Sequence, residues 1–189
     1  MPIQHISDNV LKLMRRQSTG DSIRAVITRL RERIPDVHVR TTLLVGTPGE
    51  TDADFDELIG FIDSFDIDRL GAFAFSDEEG TLSHLMDDKV PEETAEMRRD
   101  AVMEHQLAIS EKLNERKLGK VMEVIVDEVI ELDAGDIVED FDNIDDSIRD
   151  RVINTYSGRT RYDAPEIDCA VTFTSNRMDI CPGDVVNVL

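Results

Sequence analysis

The chain has 189 residues, 40% of them hydrophobic and 33% charged, which is enough apolar content for a core and argues against wholesale disorder. No apolar run approaches the ~20 residues of a membrane-crossing helix and no basic segment followed by an apolar stretch opens the chain, so the expected setting is the cytoplasm, with no membrane partner. Two cysteines, Cys169 and Cys181, give no disulfide framework or closed zinc site, and a net charge of −20 repels phosphate backbones while favouring basic partners.

In chain order, Ser7 is placed to cap a helix carrying Val10, Leu11 and Met14 on one face. Gly20-Asp21-Ser22 punctuates, and Ile23, Val26, Ile27, Leu30 and Ile34 then keep the rhythm of an amphipathic helix that Pro35 ends. Residues 37–46 are β-branched and finish in the apolar run Leu43-Leu44-Val45, as a strand buried on both faces of a parallel sheet does. Thr47-Pro48-Gly49-Glu50 is a turn. Thr51 caps a third helix with Phe55, Leu58, Ile59 and Ile62 inward, and residues 69–76 form a second strand. Helix, strand, helix, strand with short connections is the grammar of an α/β unit. After a polar stretch over residues 77–89, Pro91-Glu92-Glu93 opens a long helix that runs to about Leu118 and stops at Gly119.

Beyond a boundary near Lys117 the pattern changes. Strands are expected over residues 121–129, 155–162, 167–174 and 185–189, with turns at Ser157-Gly158 and Cys181-Pro182-Gly183-Asp184. The expected fold is therefore two domains: an α/β unit over 1–117, and a small antiparallel β-barrel over 118–189. An acidic insert over 131–151, with nine acids and two arginines, reads as an exposed loop. Charge is also uneven at the other end, because residues 1–41 carry eight Lys/Arg against four acids.

Chemistry is sparse on composition alone. His5, His38, His84 and His105 fall in different elements and suit packing or surface roles, as do the two cysteines; Glu78 and Glu79 suit a solvated loop. One segment stands out. Val45-Gly46-Thr47-Pro48-Gly49-Glu50 lies where a parallel strand gives way to a helix, the end at which α/β folds bind ligands. Glycines there let a backbone approach a ligand closely, and they equally suit an ordinary tight turn.

These residues carry a resemblance. Pro2-Ile3-Gln4-His5-Ile6-Ser7 with Val10-Leu11-Lys12-Leu13-Met14-Arg15-Arg16, then residues 40–51, then Gly71-Ala72-Phe73-Ala74-Phe75-Ser76 with Glu79-Gly80-Thr81, are similar to the fourth, fifth and sixth strand regions of radical-SAM methylthiotransferases. Gly158-Arg159-Thr160 and residues 163–168 resemble their TRAM domain, and the latter run resembles the RimO type. The resemblance implies the second half of a TIM-like barrel followed by a TRAM-like β-barrel. It implies an enzyme that uses S-adenosylmethionine and 4Fe-4S clusters to methylthiolate the β-carbon of an aspartate in a basic small-subunit ribosomal protein. By the same resemblance Gln4, Ser7, Arg40, Val45 and Gly46 would face S-adenosylmethionine, and Arg159, Asp163, Glu166 and Asp168 would serve the substrate. Arg40 suits a structural role at the strand end equally well.

The family's Cys-x-x-x-Cys-x-x-Cys motif is absent, so neither cluster is expected to be ligated by this chain. The expectation is the C-terminal part of the enzyme, with the missing N-terminal part as its partner and no catalytic residue of its own. The competing readings are a tRNA methylthiotransferase piece, using the basic shoulder of residues 12–33, and a non-catalytic acidic binding module.

Overall fold

The computed structural model describes residues 2–130, 154–165, 167–168, 170–177 and 179–189. The acidic insert, Glu166 and Cys169 lie outside the described residues. The chain divides into two compact units, Met1–Lys117 and Leu118–Leu189.

In the first unit, α1 (Asp8–Leu13) and α2 (Gly20–Arg33) precede β1 (Arg40–Val45), which is followed by α3 (Asp52–Phe65), β2 (Arg69–Ala74) and α4 (Glu92–Glu115). β1 and β2 pair in parallel, from Arg40 opposite Arg69 to Val45 opposite Ala74. Gln4 adds a rung on the other side of β1. Its N–H donates to the Thr42 carbonyl at 2.9 Å and its carbonyl accepts from the Leu44 N–H at 2.8 Å. Gln4 does so at φ +69, in the left-handed region that a non-glycine residue seldom enters.

The two faces of this small sheet differ. Thr41, Leu43, Val45 and Leu70 are buried against Ile23 and Ile27 of α2, Leu58, Phe61 and Ile62 of α3, and Val102 and Ile109 of α4. Each such aliphatic side chain contributes about 1.5–3 kcal/mol by leaving water. The opposite face is open: Phe73 is 62% exposed, and Thr42 and Leu44 are only partly buried. The expectation of a strand buried on both faces is therefore corrected. The apolar run is continuous, but helices cover one side only.

Local chemistry explains the helix starts. Thr19 and Thr51 cap α2 and α3 in capping boxes closed by Ser22 and Asp54, each worth about 1 kcal/mol. Gly20-Asp21-Ser22 thus opens α2 instead of separating two helices. Ser7 occupies the N-cap position of α1 without a side-chain cap bond, because its hydroxyl donates to Asp54 on α3.

The second unit is a four-stranded antiparallel sheet among the described residues, in the order β5 (Val171–Ser175), β4 (Asn154–Thr160), β3 (Met122–Ile130), β6 (Val185–Val188). Val126, Tyr156 and Ile180 form its buried centre, with Tyr156 stacked on Phe173 at 5.3 Å. Ser157-Gly158, expected as a turn, lies inside β4. The register between β3 and β4 shifts between Val126 and Glu128, and a Cβ at position 158 would strike the Ile125 carbonyl and a Val124 methyl. Glycine serves that close approach.

Candidate functional site

The turn that follows β1 is built around one buried carboxylate. Gly46 (φ +75) and Gly49 (φ +82) turn the chain. The Glu50 carboxylate then reaches back and accepts from the Gly46 N–H at 2.8 Å and the Thr47 N–H at 3.2 Å. Its other oxygen accepts from Arg98 of α4 at 2.9 Å. The Glu50 side chain is fully buried, and Arg98 nearly so. Arg98 also donates to Asp52 at 2.6 Å, and its guanidinium lies 5.4 Å from the Phe55 ring centre. Burial pushes the Glu50 carboxyl above its ordinary range, opposed by the Thr47 amide, Arg98 and the Gly46 amide.

A second cluster fixes the start of α1. Asp54 accepts from the Ser7 hydroxyl, from the Thr51 hydroxyl at 2.7 Å and from Asn9 Nδ2 at 2.9 Å, while Asn9 also donates to the Gly49 carbonyl at 3.2 Å. Burial disfavours the Asp54 charge, but these hydrogen bonds outweigh it and lower its pKa from 3.8 to about 2. Beside it His5 is fully buried; its Nδ1 accepts from the Ser7 N–H at 3.1 Å, so the proton sits on Nε2, which has no hydrogen-bond partner among the described residues. Burial, reinforced by the Arg98 charge and opposed by Asp54, lowers the His5 pKa from 6.5 to about 4.

These clusters place a cavity of about 600 Å³ at the carboxyl end of the parallel sheet. Gln4, Leu44, Thr47, Pro48 and Phe75 form its strand side. Leu13, Met14, Arg15 and Arg16, at and beyond the end of α1, face them, and Leu82, Ser83 and Met86 complete the wall. A mainly apolar lining with a few polar groups, at this volume, is the usual composition of a small-molecule site.

Of the residues expected at the cofactor, Gln4 lines this cavity and the others do not. Val45 is fully buried in the core on the opposite face, and its neighbours Leu44 and Thr47 take the lining positions. Gly46 backs onto α4: a Cβ there would overlap Ala95, so its missing side chain serves helix packing as well as the turn. The Ser7 hydroxyl is committed to Asp54. Arg40 stands exposed at the start of β1, about 16 Å along the strand from Val45.

In the second unit Arg159 pairs with Asp127 across β4 and β3. Asp163 accepts from the Thr160 hydroxyl at 2.6 Å, and Asp168 from the Ala164 N–H at 2.6 Å. Both carboxylates thereby shape the turn after β4.

Sequence reasoning missed Arg98 and Asp54. A signal for Arg98 existed: it lies on the stripe Ala95, Arg98, Val102, Gln106, Ile109 that α4 buries, and a charge on such a stripe requires a partner.

Comparison with known proteins bears on this arrangement. Residues 1–62 match the Radical SAM superfamily. A ribosomal protein uS12 methylthiotransferase RimO of Clostridioides difficile is 41% identical over 188 residues, all of this chain and 37% of that protein. A protein of the same name from Bacteroides thetaiotaomicron is 39% identical over 98% of this chain and 38% of its own length. By sequence, the chain is similar to the RimO-type methylthiotransferases. It spans just over a third of the length of these RimO relatives.

The residues present can be weighed against the cofactors of that family. A mainly apolar cavity with Gln4, Arg15, Arg16, Thr47 and Ser83 as polar groups, at a strand end and beside two glycines in the left-handed region, fits the flat base and ribose of S-adenosylmethionine. The clusters do not fit this chain: Cys169 and Cys181 are too few for a thiolate ligand set. Among the described residues no three His, Cys, Asp or Glu side chains gather as metal ligands, and no helix is long and apolar enough to cross a membrane.

Proposed function

We propose that the chain serves as the C-terminal third of a radical-SAM enzyme that methylthiolates the β-carbon of an aspartate in a small-subunit ribosomal protein. The observation that carries this reading is the cavity at the carboxyl ends of parallel strands, walled by Gln4, Leu44, Thr47 and Pro48 within the residues that match the Radical SAM superfamily. In this reading the first unit is the C-terminal half of a TIM-like barrel. The open face bearing Phe73 supports it, since a closed barrel would cover that face with strands from the rest of the enzyme. The second unit is then the TRAM-like module, in which Arg159, Asp163, Glu166 and Asp168 are the candidate residues for the protein substrate.

S-adenosylmethionine, bound with a cluster held elsewhere in the enzyme, supplies the radical chemistry that activates an unreactive C–H bond. This chain's residues bind and orient. Leu44, Pro48 and Phe75 offer apolar contact to the base, Gln4 offers hydrogen bonds to the ribose, and the Glu50–Arg98 pair fixes the turn that carries Thr47 and Pro48. The net charge of −20 steers a lysine- and arginine-rich ribosomal protein toward the enzyme and disfavours tRNA.

The test is a competition. The enzyme containing this sequence is given S-adenosylmethionine, a reductant, the ribosomal protein and bulk tRNA, and both products are analysed by mass spectrometry. A methylthio group on an aspartate of the protein is expected. Modification confined to tRNA would defeat the reading, as would unchanged turnover in Thr47→Trp, whose indole would occupy the cavity.

A further inference from the structure

One wall of the cavity is held by no apolar packing. Leu82, Ser83 and Met86 line it from the segment between β2 and α4, where the one regular piece is a 3-10 turn at Ser83–Leu85. None of residues 76–89 is buried, and Leu82 and Leu85 are 62% and 75% exposed. A surface segment without buried apolar contacts opens at little cost. Its place against the cavity therefore depends on polar contacts.

Those contacts converge on Asp77. The parallel ladder extends to Phe75, whose N–H donates to the Val45 carbonyl at 2.8 Å, so Asp77 leaves the sheet two residues beyond a cavity-lining side chain. One Asp77 oxygen accepts from His84 Nδ1 at 3.0 Å, and the other accepts from Lys89 Nζ at 2.5 Å. The Lys89 hydrogen bond first, against desolvation, and then His84 hold the Asp77 carboxyl below its usual range. Between these anchors the Thr81 hydroxyl donates to the Glu78 carbonyl at 2.8 Å and accepts from the His84 N–H at 3.2 Å. At the far end the Asp88 carbonyl accepts from the Gly49 N–H at 2.7 Å, which ties the segment to the turn after β1. His84 stands in the chain between the lining residues Ser83 and Met86, so a carboxylate that fixes it fixes them as well.

We propose that Asp77 is a positioning residue, a clasp that draws His84 and Lys89 across the segment and keeps Leu82, Ser83 and Met86 closed over a ligand in the cavity. Asp77 does not line the cavity; it acts through the residues it holds. The inference rests on the reading of this cavity as the S-adenosylmethionine site and adds the element that retains the ligand there.

The experiment uses the enzyme containing this sequence and its D77A and D77E variants, with S-adenosylmethionine as the probe. Hydrogen–deuterium exchange read by mass spectrometry follows the segment, and equilibrium dialysis gives the affinity. In the wild type S-adenosylmethionine should slow exchange over residues 44–47 and 82–86. D77A should exchange about fivefold faster over residues 77–89 with the rest of the first unit unchanged, because all three clasp side chains reach the surface. It should also bind S-adenosylmethionine about fivefold more weakly, the loss falling on KM more than on kcat. D77E, which keeps the charge on a longer stem, should recover part of both effects. Exchange that D77A leaves unchanged over residues 77–89, or faster exchange with full affinity, overturns the clasp and leaves the cavity reading in place. S-adenosylmethionine that protects neither segment of the wild type overturns the cavity reading, and the inference with it.

Discussion

Replacing Arg98 with methionine keeps the aliphatic stem between α3 and α4 but removes the charge that faces Glu50. The wild-type pair is buried on both sides, with the Glu50 carboxylate out of contact with solvent and two backbone N–H groups already directed at it. Breaking a buried pair from one side strands the other charge, at a cost of about 3–5 kcal/mol. The Asp52 contact adds little, since that carboxylate is almost fully exposed. Glu50 can escape the penalty by taking a proton. Its carboxyl is already raised by burial, and Arg98 opposes that rise, so Arg98→Met raises it further. A carboxyl with a raised folded-state pKa binds protons more readily when folded, so stability falls as pH rises above its ordinary 4.5. The deficit of Arg98→Met should therefore be largest at neutral pH and shrink toward pH ~5. Urea unfolding followed by far-UV circular dichroism reads this directly, because every helix among the described residues lies in the first unit. Adding Glu50→Gln to Arg98→Met should recover more than ~1 kcal/mol at neutral pH. An Arg98→Met variant within ~1 kcal/mol of wild type at pH 7, or a deficit independent of pH, would refute the argument.

Three further outcomes follow from the same interior. His5, neutral when folded with a pKa near 4 against 6.5 unfolded, contributes stability that is complete above pH 6.5 and is lost as pH falls through about 4. The loss amounts to about 3 kcal/mol. His5→Asn, which keeps an acceptor for the Ser7 N–H, should flatten the unfolding midpoint over that window, and parallel profiles for the two proteins would count against it. Asp54 works in the same direction at lower pH: its contribution is present above 3.8 and disappears toward about 2. Asp54→Asn should cost about 1 kcal/mol at pH 7 after allowance for solvent screening, and a variant as stable as wild type in thermal melts would remove the role given to Ser7 and Asn9. Gly46→Val should lower the melting temperature of the first unit, because the new side chain meets Ala95 in a left-handed backbone. A normal melt with loss of cofactor binding alone would instead restore a direct role facing the ligand.

How far the sequence could be read depended on the range of the interactions. The α2 and α3 helices were legible because apolar spacing is a local fact, as is the Thr51 start of α3, whereas the Thr19 cap of α2 was passed over for the glycine after it. The parallel pairing of β1 with β2 followed from one intervening helix and short connections. Ser7 was misread because a local capping preference lost to a partner 47 residues away. Gly158 was misread because the crowding that demands glycine comes from another strand.

By itself the sequence determined the order of the elements, the acidic character, the glycine-bearing turn after β1 and the absence of a cluster-binding cysteine set, since each is fixed by spacing or composition. Only the tertiary structure decided which face of β1 looks into the cavity, that Leu44 and Thr47 line it while Val45 does not, and that Arg98 anchors Glu50. The physical reason is that period-two alternation does not say which face of a continuous apolar run is covered, and the buried stripe of α4 shows that Arg98 needs a partner without showing that the partner is Glu50, 48 residues away. Packing of α2, α3 and α4 against one side chose between them.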